Sequence, residues 1–105
     1  MSWETLVFGE IVFKEKTTDK DLELIKNYLE VYPEDDDYWR ANKLHIEEKE
    51  GKTYIYVLSV NLTSHIDKKK IKKLLKKLKP KLVDYFLSLW YLDESDKDFD
   101  FGDDE

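Results

Sequence analysis

The sequence predicts a single α+β domain in which four strands and two helices alternate as β-α-β-β-α-β. Three observations carry this prediction. Stretches rich in β-branched and aromatic residues alternate with two stretches in which apolar residues recur at helical spacing. Thr18 and Ser64 stand where helix N-caps are expected, and Pro33 and Pro80 stand where the helices should end. At 105 residues, the chain has the length of one domain with one modest core.

The first third of the chain supplies one strand and one helix. Residues 3–14 are apolar on both alternating faces, which is typical of a central strand that is covered on both sides. Gly9 interrupts this strand, and a glycine inside a strand often marks a bulge or the close approach of a neighbouring backbone. Apolar residues then recur at helical spacing from Leu22 to Tyr32, which predicts a helix ending at Pro33.

The rest of the chain supplies a hairpin, a second helix and a last strand. Residues 43–50 and 53–62 flank a turn at Gly51, which predicts two antiparallel strands. A lysine-rich helix follows, and its apolar face is formed by Ile71, Leu74, Leu75 and Leu78. Residues 82–92 fit either a strand or a helix by periodicity. The proline before them, their aromatic content and the acidic residues after them favour a strand.

This order of elements is that of a ferredoxin-like sandwich, a four-stranded antiparallel sheet with two helices on one face. We assign residues 1–92 to this domain and expect residues 93–105 to form an acidic C-terminal tail that contributes little to folding. Two helices cover only one face of such a sheet. The other face is therefore expected to expose tyrosines, leucines and Trp90, and an apolar surface of that size usually marks an interface.

Composition limits the chemistry that the chain can perform. The absence of cysteine excludes disulfides, zinc–thiolate sites and cysteine nucleophiles. His45 and His65 are isolated, the three glycines are scattered, and no metal-ligand or phosphate-loop spacing occurs. No signal peptide or membrane-spanning stretch is visible. We therefore expect a cytoplasmic, non-enzymatic protein without a metal or cofactor. The abundance of Lys, Glu and Ile fits either a thermophile or an AT-rich genome.

Charge is divided unevenly along the chain, although the net charge is only −6. Residues 68–81 carry nine lysines and no acidic residue, whereas residues 93–105 carry eight acidic residues and one lysine. The lysine run is typical of a solvated helix face and can also meet phosphates or an acidic protein. The tail fits a disordered segment or phosphate mimicry, in which Phe99 and Phe101 anchor carboxylates in a basic groove.

These observations predict a small acidic protein-interaction module, a regulator or a nucleic-acid-mimicking inhibitor of the type found in phages and mobile elements. The partner is expected to be another protein or a second copy of the chain, without membrane association, and nucleic acid is disfavoured as a partner. The predicted interface residues are Tyr54, Tyr56, Leu58, Trp90, Asp98, Phe99, Asp100 and Phe101.

A second function is suggested by residues 52–57, KTYIYV, which resemble the RNP1 motif of the RNA-recognition motif family. The resemblance implies an alternative in which Tyr54 and Tyr56 stack on single-stranded RNA bases and Lys52 contacts a phosphate. Threonine and isoleucine stand where the family has glycines. Arg40 is the only arginine of the chain, and because bidentate base contacts usually depend on arginine, base-specific recognition is disfavoured.

Overall fold

A computed structural model of the chain describes residues 5–32, 40–61, 66–91 and 98–102. Their helices and strands, in chain order, are β1 (Thr5–Phe13), α1 (Asp19–Leu29), β2 (Arg40–Lys49), β3 (Lys52–Asn61), α2 (Lys68–Leu78), β4 (Leu82–Tyr91) and β5 (Asp98–Gly102). A single turn of 3₁₀-helix, Lys79–Lys81, connects α2 to β4. The strands form one antiparallel sheet in the order β2-β3-β1-β4-β5.

The predicted four-stranded ferredoxin-like sandwich is wrong, because the sheet has a fifth strand. β5 comes from the acidic tail and pairs antiparallel with β4, from Gly102 beside Phe86 to Asp98 beside Trp90. Acidic and aromatic residues alternate along β5, so both phenylalanines point to the side of the helices. Phe101 is only 2% exposed and belongs to the core. The acidic composition of this segment indicated a solvated tail, but the period of its phenylalanines is that of a half-buried strand.

β1 is the central strand, and it pairs along its length with β3 on one side and β4 on the other. Gly9 lies against the backbone of β4. A Cβ atom at this position would lie 2.0 Å from the carbonyl oxygen of Phe86, and the φ angle of 153° is one that few other residues adopt. The close approach predicted from a glycine inside the strand is confirmed. β4 likewise confirms the strand that was favoured for this segment over a helix.

Both helices pack on one face of the sheet and begin at side-chain caps. Thr18 Oγ1 accepts a hydrogen bond from the backbone N–H of Asp21 at 3.2 Å and caps α1. The cap of α2 is Asp67, which accepts from the backbone N–H of Lys70 at 3.0 Å. The predicted cap Ser64 lies outside the described residues. The largest fully buried side chains of the core are Val7, Ile11, Ile25, Leu29, Ile55, Ile66, Ile71, Leu74, Leu78, Leu87, Leu89 and Phe101.

An ion pair joins α1 to the turn before β4. Asp21 is 3% exposed, and Lys81 Nζ lies 3.0 and 3.3 Å from its two carboxylate oxygens. The carboxylate also lies in the first turn of α1, where the helix dipole favours negative charge. This contact fixes the helix layer against the end of β4 that lies farthest from β5.

Replacing Phe101 by alanine is expected to lower the free energy of unfolding by about 3–5 kcal/mol, because truncation of a buried phenylalanine leaves a cavity. The melting temperature should fall by more than about 12 °C, which thermal denaturation followed by circular dichroism measures. Val83→Ala is the matched control, since Val83 is 46% exposed and its truncation should cost less than about 0.5 kcal/mol. An unchanged melting temperature in Phe101→Ala contradicts the placement of β5 in the sheet.

Candidate functional site

The candidate site is the sheet face opposite the helices, named here the open face. Every second residue of each strand points to it. Its apolar side chains are Leu6, Phe8 and Val12 of β1, Tyr54, Tyr56, Leu58 and Val60 of β3, and Phe86 and Trp90 of β4. Phe86 is 47% exposed and Trp90 is 43% exposed, which is unusual for large aromatic side chains.

The register aligns the side chains of the open face in rows that cross the strands. In one row Phe8 of β1 lies beside Leu58 of β3. In the next row Glu10 lies between Tyr56 and Phe86. One carboxylate therefore lies near the centre of an otherwise apolar and aromatic surface.

A chain of hydrogen bonds fixes Trp90 on this surface. The indole Nε1–H donates to Ser88 Oγ at 2.7 Å, and Ser88 Oγ donates to a carboxylate oxygen of Asp100 at 2.7 Å. The N–H is the only polar group of the tryptophan side chain, so the exposed part of the ring is apolar and held in one orientation. Rigid exposed aromatic side chains of this kind often dominate the energy of protein–protein binding.

The β2 edge of the open face is an ordered row of charged side chains. His45 Nε2 lies 3.0 Å from one carboxylate oxygen of Glu47, and Lys49 Nζ lies 3.1 Å from the other. The His45 ring stacks on Tyr56, and Lys49 Nζ lies over the ring of Tyr54 at 5.8 Å. The hydrogen bonds with His45 and Lys49 lower the pKa of Glu47, and the Glu47 carboxylate raises the pKa of Lys49.

Opposite edges of the open face carry opposite charges. The lysines at the edge formed by β2 and the start of β3 are Lys43, Lys49 and Lys52, with Glu47 among them. The aspartates at the β4–β5 edge, by strand register, are Asp84 and Asp100. The face thus combines an apolar centre with one mainly basic rim and one acidic rim.

The structure brings together four of the predicted interface residues, Tyr54, Tyr56, Leu58 and Trp90, on the open face. By register, Asp100 lies at the edge of that same face, and the backbone of Asp98 pairs with Trp90. Sequence reasoning missed Phe8, Phe86 and Ser88 as members of the site. Their alternation with core residues along β1 and β4 was the available signal, but it identifies the face only once the sheet order is known.

The two tail phenylalanines lie on the other side of the sheet. Phe101 is buried in the core, and Phe99 packs edge-on against Tyr91, with ring centroids 5.9 Å apart. Lys68 Nζ from α2 lies 4.8 Å from the centre of the Phe99 ring. Both side chains hold β5 to the fold, so they are not available as anchors in a partner's groove while β5 is paired.

The three residues of the predicted RNA site, Lys52, Tyr54 and Tyr56, share the open face along β3. The lysines of α2 lie in the helix layer on the opposite side of the sheet. The strongly basic segment of the chain is therefore not adjacent to the tyrosines. The acidic side chains nearest to this pair are Glu10 and Glu47.

A cleft elsewhere on the described surface is a weaker candidate for a binding site than the open face. A cleft of about 280 Å³ at the start of α1 is lined by Phe13, Lys14, Glu15, Lys16, Thr18, Asp21, Pro80 and Lys81. Its buried carboxylate, Asp21, is already paired with Lys81.

Within the described ranges, no group of three His, Asp or Glu side chains is placed to hold a metal ion. None of the helices described here has the length and apolar character needed to cross a membrane.

Comparison with known proteins finds no matching family model, no similar curated protein and no similar solved structure. A function can therefore be inferred only from the chemistry of the chain's own surface. Among the described residues, the open face is the surface whose chemistry gives the strongest indication of function.

Replacing Ser88 by alanine is expected to release the indole of Trp90, because the hydroxyl is the acceptor of its N–H. Hydrogen exchange of the Trp90 indole N–H, followed by NMR, should become roughly fivefold to tenfold faster, since one such bond contributes about 1 kcal/mol. Ser59→Ala is the matched control, because Ser59 donates to the backbone oxygen of Glu30 on the helix side. Equal exchange rates in wild type and Ser88→Ala contradict this role for Ser88.

Replacing His45 or Lys49 by alanine is expected to raise the pKa of Glu47 toward its usual value of 4.5. A lowered carboxyl pKa in the folded state stabilises the fold above the unfolded pKa, and this contribution is lost as the pH falls through the folded pKa. NMR titration of the Glu47 carboxyl carbon measures the shift. Lys43→Ala should leave the titration unchanged, and a wild-type Glu47 that titrates at 4.5 contradicts the pairing.

Proposed function

We propose that this protein is a non-enzymatic interaction module that binds a protein surface through its open face. The observation that carries the proposal is the contiguous apolar surface on the side of the sheet opposite both helices, with Phe86 and Trp90 strongly exposed. Contiguous apolar surfaces rimmed by polar residues usually mark interaction sites. Proteins seldom expose such surfaces without a partner, because their burial is favourable by roughly 25 cal/mol per Å².

The dimensions of the open face support this proposal. Strands lie about 4.8 Å apart and rise about 3.3 Å per residue, so the sheet, with one strand of nine residues, three of ten and one of five, presents an area of roughly 700 Å². That area is close to the roughly 800 Å² that each partner buries in a standard protein–protein interface.

The composition of the open face is also that of a protein interface. Tyrosine, phenylalanine and tryptophan lie on the inner strands, whereas charged residues lie mainly at the rims, which is the usual anatomy of such sites. Trp90 is a suitable anchor, since Ser88 already holds its ring in place. Little conformational freedom remains to be lost at this side chain when a partner binds.

Single-stranded RNA binding through Tyr54 and Tyr56 remains the alternative, but the charge of the open face gives it less support. Sites for single-stranded nucleic acid combine aromatic side chains with a positively charged groove. Here Glu10 lies beside Tyr56, and Asp84 and Asp100 lie at the β4–β5 edge. The lysines of α2, which could neutralise phosphates, lie in the other layer.

A module of this kind acts by occupying a surface of its partner, as a regulator or an inhibitor does. The nucleic-acid-mimicking form of inhibition has weaker support, because Phe99 and Phe101 pack within the fold and leave the aspartates of β5 without apolar anchors. The aromatic centre of the open face replaces the tail as the proposed contact surface.

Photo-cross-linking tests the proposal. The photoreactive residue p-benzoylphenylalanine replaces Phe86 in one variant and the exposed Lys73 of α2 in a matched control. After irradiation in cells that naturally contain the protein, we expect covalent protein adducts from position 86 and not from position 73. Adducts to nucleic acid from position 86, no adducts there, or equal protein adducts from both positions overturn the proposal.

A further inference from the structure

We propose that the occupant of the open face is a second copy of this chain, stacked sheet on sheet about a two-fold axis that runs parallel to the strands. This inference rests on the proposed function, since it requires the open face to be a protein interface. In an interface of this symmetry the same surface meets itself, so the surface must be self-complementary.

The strand order determines which elements meet in such a dimer. A two-fold axis parallel to β1 and close to it reverses the order of the strands across the interface. β2 of one copy then lies over β5 of the other, and β3 lies over β4. Stacked sheets keep their strands within about 30° of each other, so side chains from the same row stay close.

The charges at the two edges become complementary in this arrangement. Lys43 and Asp100 belong to the row of Phe8, because the register runs from Lys43 through Leu58 and Phe8 to Asp100. The two-fold axis places Lys43 of each copy opposite Asp100 of the other, so the contact occurs twice. An axis across the strands at the same row would instead set Lys43 against Lys43, which disfavours it.

The apolar centre is also self-complementary about this axis. In the row of Glu10, Tyr56 of one copy lies over Phe86 of the other, and in the row of Leu6, Val60 lies over Trp90. These pairs bury the most exposed aromatic side chains of the face. The total area removed from water is roughly 1,400 Å², within the range of about 1,200–2,000 Å² for stable interfaces.

Glu10 is an unfavourable element of the arrangement, and it distinguishes a second copy from another protein as the occupant. Because Glu10 lies on β1, the carboxylates of the two copies approach each other near the axis and repel. A different protein that binds this face gains by placing a cation opposite Glu10. Removal of this charge therefore has opposite effects on a dimer of this chain and on a complex with such a partner.

Sedimentation equilibrium of the full chain tests the inference by charge exchange between copies. Wild type is expected to dimerise, and Lys43→Asp and Asp100→Lys are each expected to weaken self-association at least tenfold, since each sets two like-charge contacts across the interface. A one-to-one mixture of the two variants should recover wild-type association, because the introduced aspartate then faces the introduced lysine while the other edge stays native. Lys73→Asp on α2 controls for net charge and should leave association unchanged.

Glu10→Gln is the second measurement, and it is expected to tighten the dimer several-fold. Asp100→Lys also loses the hydrogen bond from Ser88, and this loss can prevent the variant from folding. In that case Glu10→Gln alone tests the inference. Weaker or unchanged association in Glu10→Gln overturns the inference, as does a dimer in which the mixed charge variants show no recovery.

A wild-type chain that stays monomeric at millimolar concentration also overturns the second copy as occupant. If position 86 still cross-links to other proteins in that case, the proposed function stands without this inference. If position 86 forms no protein adduct at all, both fail together.

Discussion

The placement of β1 between β3 and β4 is the constraint on which the rest of the structure depends. β1 is paired on both sides, and both of its partners come from distant parts of the chain. It also contributes to both faces, with Val7 and Ile11 in the core and Phe8 and Glu10 on the open face. Gly9 permits this pairing at one position, because a Cβ atom there would collide with the backbone of β4.

Several side chains of the open face are held in place by contacts with one another. Its polar groups are tied to its aromatic ones, since Ser88 holds the Trp90 indole and His45 stacks on Tyr56. These contacts restrict the motion of side chains that a partner would contact, which lowers the entropy cost of binding.

The sequence predicted the elements better than it predicted their assembly. Local signals located the helices and β1 to β4, because caps and apolar periodicity act over a few residues. The predicted end of the first helix at Pro33 is wrong, because α1 ends at Leu29, where Glu30 adopts a left-handed conformation. β5 was missed because five residues of alternating aspartate and phenylalanine carry a strand period but an acidic composition. Its pairing with β4 depends on the core position that Phe101 fills, and such a tertiary contact has no local signature.

The candidate site was predictable in part for the same reason. Tyr54, Tyr56 and Leu58 stand on one face of a clearly alternating strand, so their common exposure follows from the period of a strand. The roles of Ser88 and Asp100 depend on the register between β4 and β5, which links two residues twelve positions apart. Phe99 and Phe101 were expected to contact a partner because the side of the sheet they face could not be known before β5 was paired.

The two outer strands of the sheet determine how these molecules can associate at high concentration. A sheet edge leaves backbone donors and acceptors unpaired, and flat apolar edges recruit strands from other molecules into open-ended polymers. β5 is only five residues long, and aspartate and phenylalanine alternate along its sequence. β2 carries the charged row of His45, Glu47 and Lys49. Charged and short edges oppose strand addition, so growth into fibrils is disfavoured at both sides. The broad aromatic face can thus be displayed to a partner in a chain whose edges resist endless polymerisation.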